Sequence, residues 1–106
     1  MSQVLAVDDT NYDAVVRRSP IPVLLDFTAS WCGPCKQVAP IVHQVAVEAG
    51  ARARVVAIDI DRAPRVAASL GIRGVPTLIV MRGGSEIARH VGANVTKQKL
   101  MMMLGV

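Results

Sequence analysis

Leu24-Leu-Asp-Phe-Thr-Ala-Ser-Trp-Cys-Gly-Pro-Cys-Lys36 decides the fold of this chain. Its first half is an apolar run interrupted by one carboxylate, Asp26. Its second half holds the only two cysteines. The run from Pro22 to Thr28 reads as a strand with two mainly apolar faces, as in a sheet covered on both sides. From Cys32 to about Glu48, the apolar positions Val38, Ile41, Val42, Val45 and Ala49 recur at helical spacing. A strand thus feeds directly into a helix that opens on Cys-x-x-Cys. Pro40 lies inside that helix, where it lacks an N–H and crowds the carbonyl of Lys36, so a kink is expected.

Working outward, Thr10-Asn-Tyr-Asp13 resembles a capping box opening a short helix through Val15 and Val16, which ends near Ser19-Pro20. Arg54 to Asp59 is a further strand, making strand–helix–strand and hence a parallel pair with a right-handed crossover. Asp61-Arg-Ala-Pro64 caps and starts a helix through Leu70, stopped by Gly71. Thr77 to Met81 and Glu86 to Val91 are strands joined through Gly83-Gly84, a hairpin signal. A last helix runs from about Asn94, with Leu100, Met101, Met103 and Leu104 on its buried side. The order is βαβαβαββα, an α/β layer sandwich. No repeat, linker or low-complexity tract divides it, so residues 1–106 form a single domain.

Composition narrows the function classes. The 106 residues are 52% hydrophobic and 19% charged, enough for one core without staples. The formal charge is +4, but the basic residues are scattered from Arg17 to Lys99 and the only aromatics are Tyr12, Phe27 and Trp31. A nucleic-acid surface wants a clustered basic patch or aromatic platforms, so no nucleic-acid partner is expected. A bias toward acidic partners fits the charge better. Met1 to Asp9 is too short and polar for a secretory leader, and no apolar run approaches the roughly 20 residues of a membrane span. The reading is cytoplasmic, with no membrane association. Asn94-Val95-Thr96 matches a glycosylation acceptor but reads more simply as a helix N-cap.

Three chemistries compete for Cys32 and Cys35, which sit at i and i+3 on one helix face, within disulfide reach. A structural staple would close only a four-residue loop, contributing about 2 kcal/mol, and a cytosolic protein would not keep it. Zinc wants four ligands. The candidates beyond the cysteines are His43, roughly 12 Å further along the helix from Cys35, and His90, so no metal is expected. Met101-Met102-Met103 suggests copper(I), but successive helical residues point about 100° apart and cannot converge on one ion. Redox catalysis fits best. Cys32 at the helix start faces free N–H groups and the positive end of the dipole, which favours the thiolate, and Lys36 adds charge. Gly33 and Pro34 fill the first turn, and Cys35, nearer the core, keeps its proton until needed. Asp26 shares a mainly apolar strand face with Leu24 and Thr28, so it should be buried, with a raised pKa, as a proton acceptor for Cys35.

Asp26-Phe-Thr-Ala-Ser-Trp-Cys-Gly-Pro-Cys-Lys-x-x-x-Pro40 resembles the active-site segment of thioredoxins. Gly71-Ile-Arg-Gly-Val-Pro-Thr77 is similar to that family's second active-site loop, and Val91-Gly92-Ala93 to its third. The resemblance covers essentially the whole chain. It implies a three-layer α/β/α sandwich whose mixed five-stranded sheet has the order 1-3-2-4-5 and is flanked by four helices. It also implies a cis Val75-Pro76 peptide against the sulfurs. Trp31, Gly74, Val75, Gly92 and Ala93 would then line a groove where a substrate chain docks in extended form.

The activity implied is general protein disulfide reduction. Cys32 is the nucleophile and Cys35 the resolving thiol, and the pair ends as a redox-active disulfide with no cofactor bound. A flavin-dependent thioredoxin reductase would restore the dithiol, and the chain would act as a monomer. Two departures stand out: Thr28 where the family is usually aromatic, and Ala57 where it often has a lysine near the buried carboxylate. The rival readings are a peptide-docking module without turnover and, within the enzyme class, a dithiol oxidant or isomerase. The intact Cys-Gly-Pro-Cys with Asp26 argues against the first. Gly-Pro between the cysteines, where oxidising relatives usually carry histidine, argues against the second.

Overall fold

In the computed structural model, which describes residues 3–106, five strands form one mixed sheet in the order β1-β3-β2-β4-β5. The strands are β1 (Val4–Val7), β2 (Val23–Thr28), β3 (Arg54–Asp59), β4 (Thr77–Arg82) and β5 (Ser85–Val91). Met1 and Ser2, the start of the stretch read as too polar for a leader, lie outside the described residues. β1, β3 and β2 run parallel, and β4 and β5 pair antiparallel. Three α-helices, α1 (Gly33–Ala49), α2 (Pro64–Ser69) and α3 (Lys97–Leu104), and a π-helical segment, Asp13–Arg17, supply the four helices expected. A 3₁₀ turn at Gly50–Arg52, not anticipated from the sequence, joins α1 to β3.

The sheet is covered on both faces because alternate residues of its central strands are apolar in both directions. Leu24, Val55, Leu78 and Val80 pack against Val38, Val42 and Val45 of α1 and Leu100 and Leu104 of α3. Leu25, Phe27, Val56, Ile58 and Ile79 pack on the opposite face with Val16 and Val66. Because α1 covers the first of these faces, its N-terminus is held at the end of the sheet where β2 finishes.

Helix starts differ from expectation in three places. Thr10 does not cap the first helical segment, whose N-terminal residue Tyr12 makes no side-chain capping bond. Instead the Asp8 carboxylate accepts from the N–H and hydroxyl of Thr10, and Asn11 Oδ1 accepts from Asp8 N–H. Asp61 does not cap α2. The orphan N–H groups of Arg65 and Val66 donate, at 3.0 Å each, to the carboxylate of Asp9, which arrives from the far end of the chain. The last helix is capped by Thr96, whose hydroxyl accepts from Lys99 N–H, and not by Asn94. α1 continues over 17 residues with Pro40 inside it. Of the methionines, Met102 is exposed and Met101 and Met103 are half-buried against the core.

Candidate active site

α1 begins immediately after Cys32, which is its N-cap residue in extended conformation, with Pro34 in the first turn. Its sulfur accepts from the Cys35 backbone N–H at 3.2 Å, one of the donors a helix start leaves without an internal partner. Cys32 and Cys35 form a disulfide across 5.4 Å between Cα atoms. Expectation placed Cys32 outside and Cys35 inside; each is only 4% exposed, packed with Ala29 and flanked by Ile60 and Val75. The exposed rim is made instead by Trp31, Gly33, Pro34 and Lys36.

Asp26 lies on the face of β2 that α1 covers, level with Ala57 of β3 and Leu78 of β4. It is 5% exposed and its Oδ1 has no hydrogen-bond partner. Burial alone pushes its pKa from 3.8 to about 6, with no charged neighbour contributing. The departure at Ala57 explains this, since the residue beside the carboxylate carries no charge. The two departures also leave space. Thr28 and Ala57 line a cleft of about 280 Å³, shared with Ala6, Asp8, Asp59 and Arg62, at the end of the sheet where β1, β3 and β2 finish.

The other two segments converge on the sulfurs. The Val75-Pro76 peptide is cis, and the Val75 carbonyl oxygen lies 3.7 Å from Cys32 Sγ, where a reduced thiol would donate to it. Thr77 fastens this loop from within, its hydroxyl donating to the Gly74 carbonyl at 2.7 Å. Gly92 N–H donates to the Pro76 carbonyl at 2.9 Å, so the Gly92–Ala93 segment lies directly behind the cis-proline loop. Gly92 has φ 101°, a left-handed conformation open to glycine and strained for other residues. Gly74 is exposed, Val75, Gly92 and Ala93 are half-buried, and Pro76 is buried.

One contact was not legible beforehand. Trp31, 67% exposed, donates from Nε1 to Asp61 Oδ2 at 3.0 Å, and Asp61 N–H in turn donates to Asp59 Oδ1. Asp59-x-Asp61 is a local signal for a turn, but nothing in the sequence pairs Asp61 with an indole 30 positions earlier. Of the histidines, His43 is exposed and His90 is half-buried with Nε2 unpartnered. Among the described residues no group of three or more His, Cys, Asp or Glu is placed to hold a metal ion.

The arrangement joins two sulfurs that can hold or release two electrons, sets the cis-proline loop and the Gly92–Ala93 segment beside them, and buries a carboxylate with a near-neutral pKa on the strand that leads into them. Comparison with known proteins agrees. The family model described as Thioredoxin matches residues 3–105. The chain is 41% identical to Thioredoxin of Haemophilus influenzae over 93 residues, 88% of this chain and 87% of that protein. It is 42% identical to Thioredoxin 1 of a Nostoc species over 93 residues, with the same coverage of each chain. To the chloroplastic M-type thioredoxin of Chlamydomonas reinhardtii it is 42% identical over 88 residues, 83% of this chain and 63% of that protein.

Proposed function

The chain belongs to the thioredoxin family, and from that premise we propose how its residues divide the work. It is a thiol–disulfide oxidoreductase that reduces protein disulfides by dithiol–disulfide exchange. In the reading proposed here, the reduced Cys32 thiolate attacks one sulfur of a substrate disulfide. That S–S bond breaks, one substrate sulfur leaves as thiolate, and a mixed disulfide joins the two proteins. Cys35 then passes its proton to the Asp26 carboxylate, directly or through a water, and attacks Cys32 Sγ. The second substrate thiol is released, two electrons have moved to the substrate, and Cys32–Cys35 is a disulfide again. The electrons reside in the sulfurs throughout, so the reaction requires no bound cofactor.

Helix geometry supports the assignment of Cys32 as the attacking thiol, because its sulfur already accepts an α1 N–H that would steady a thiolate. The substrate chain would lie extended along Gly74, Val75 and Pro76, with Gly92 and Ala93 behind and Trp31 at the rim. A partner reductase must return two electrons each cycle. We assign that role to a flavin enzyme drawing on NADPH, with the chain working as a monomeric cytoplasmic electron carrier. Among the described residues no helix is long and apolar enough to cross a membrane.

The observation that carries this reading is the disulfide at the α1 N-cap, with the Val75 carbonyl beside the Cys32 sulfur. The test is trapping. Cys35→Ser should accumulate a mixed disulfide with a substrate protein on a non-reducing gel, and Cys32→Ser should accumulate almost none. Equal trapping by the two variants would overturn the assigned order of attack.

A further inference from the structure

Basic residues that read as scattered along the sequence are partly gathered by the fold, because strand starts and strand ends distant in the chain meet at one end of the sheet. Arg17 and Arg18 close the π-helical segment, Arg52 and Arg54 flank the entry to β3, and Arg82 ends β4. The contacts of these residues gather them at the end of the sheet opposite the disulfide. Arg54 N–H donates to Pro22 O and its Nη1 to Val15 O, both at 2.8 Å. A Cβ on Gly84, in the β4–β5 turn, would stand 3.6 Å from Arg17 O. Arg82 Nη2 donates to Leu104 O at the close of α3, and Arg52 donates to the Glu48 and Ala49 carbonyls at the close of α1.

Asp13 pairs with both Arg17 and Arg18, so five cations and one anion leave four positive charges here. Twelve basic residues less these five leave seven, and eight acidic residues less Asp13 leave seven, so the rest of the molecule balances to zero. Other acids close to the pole are already engaged: Glu48 with Lys97 at 2.8 Å, Glu86 with Arg89 at 2.7 Å, and Asp9, which shares a cleft with Arg17, with the N–H groups of Arg65 and Val66.

We propose that this arginine pole is a docking surface for a carboxylate-rich segment of another protein, engaged while the dithiol at the opposite pole stays free. All five cations are guanidiniums, whose planar forks match carboxylates two bonds at a time. Each guanidinium carries five N–H donors. The backbone carbonyls hold Arg52, Arg54 and Arg82 in place with only one or two of these, leaving the others to a partner. Such fixing lowers the ordering cost of binding. Beside Arg54, Ile21, Gly50 and Ala51 line an open cleft of about 280 Å³, where an acidic side chain can enter against the guanidinium.

Protein is favoured over the other polyanions by what the pole lacks. Of the three aromatics, Phe27 is buried and Trp31 is bonded to Asp61 beside the disulfide, while Tyr12, half-buried, shares a cleft with Arg17, Asp13, Asp9 and Arg65 at one margin of the pole. One half-buried ring with two carboxylates beside it is not the series of exposed aromatics on which successive bases stack. Segments 17–18, 52–54 and 82 hold none of the exposed large apolar side chains that would insert into a bilayer.

The test is fluorescence anisotropy of a labelled polyglutamate peptide at low and physiological ionic strength, with an oligothymidine and phosphatidylserine vesicles as competing probes. The expected result is binding to polyglutamate that weakens with salt as screening shortens from roughly 30 to 8 Å. Arg17→Gln/Arg18→Gln/Arg52→Gln together should weaken it at least about tenfold, and leave reduction of a model disulfide protein at the wild-type rate. The matched control, Arg62→Gln/Arg73→Gln/Lys99→Gln, removes the same charge elsewhere and should keep most of the affinity. In the ¹⁵N spectrum of the wild-type chain, polyglutamate should shift the amides of residues 15–22, 50–55 and 82–85. Equal loss in both triple variants, shifts centred on residues 31–36, or tighter binding to the oligonucleotide or vesicles would each overturn the proposal.

Discussion

Replacing Asp26 by asparagine should stabilise the protein and slow it. The folded-state pKa of about 6 lies above the ordinary 3.8 of an exposed aspartate, so the native state resists losing this proton. Ionisation then costs stability as pH rises from about 4 through 6, and the cost is fully present above that. A difference of about two units, at 1.36 kcal/mol each, puts the cost at pH 7 on the order of 3 kcal/mol. Asparagine is nearly isosteric and never ionises, but it buries an amide with poor partners, which returns roughly 1 kcal/mol or more of that gain. A net gain of about 1–2 kcal/mol corresponds to roughly 5–15 °C in Tm for a chain of this size. The assay is thermal unfolding of the oxidised protein at pH 4, 5.5 and 7. At pH 4 the wild-type carboxyl is mostly protonated, so the amide penalty should leave the variant level with or slightly below wild type, and the gap should open in its favour toward pH 7. Reduction of a model disulfide protein by the variant should be slowest relative to wild type near pH 6, where Cys35 has least help in losing its proton. A gap that is the same at every pH, or a variant that melts lower at pH 7, would refute the account of Asp26 as a desolvated base.

The cleft at Ala57, the register partner of Asp26, makes a second substitution informative: Ala57→Lys puts an ammonium level with the carboxylate, and the Asp26 pKa, followed by NMR titration, should fall from about 6 toward the ordinary carboxylate range. No movement would mean that the lysine lies in the cleft without sensing Asp26. Trp31 is the only tryptophan and adjoins the disulfide, so its emission should change on reduction. Asp61→Ala should release the indole, lower the emission anisotropy and raise KM for protein disulfides more than for a small disulfide. Unchanged anisotropy would remove Asp61 as a positioning residue.

What could be read in advance was what short-range pattern controls. The two-sided apolar alternation of β2 gave both its central place and the burial of Asp26, because a period of two assigns each side chain to a face. Cys32 at a helix start followed from spacing and Pro34 alone. The cis Val75-Pro76 peptide and the strand order came from family resemblance, since no local rule distinguishes this proline from one in the trans form. Of the three misassigned caps only that of α2 has a remote partner: Asp9 reaches it across more than 50 residues, and no window around Asp61 contains that information, whereas Thr96 lies two residues from the Asn94 chosen for the last helix. The near-equal burial of the two cysteines escaped for the same reason, because Ile60 and Val75 cover them from elsewhere in the chain.

The Asp9 bridge gives α2 an unusual dependence. Six residues are too few to hold a helix by their own hydrogen bonds. Much of what organises its first turn comes from the residues just after an edge strand of only four residues. β1 is thus a latch as well as a rim. When it peels from β3, α2 loses its cap and the segment that follows, through Gly71 to the cis-proline loop, loses its anchor. The loop beside the sulfurs is therefore only as durable as the pairing at the sheet edge three strands from β4, where that loop ends.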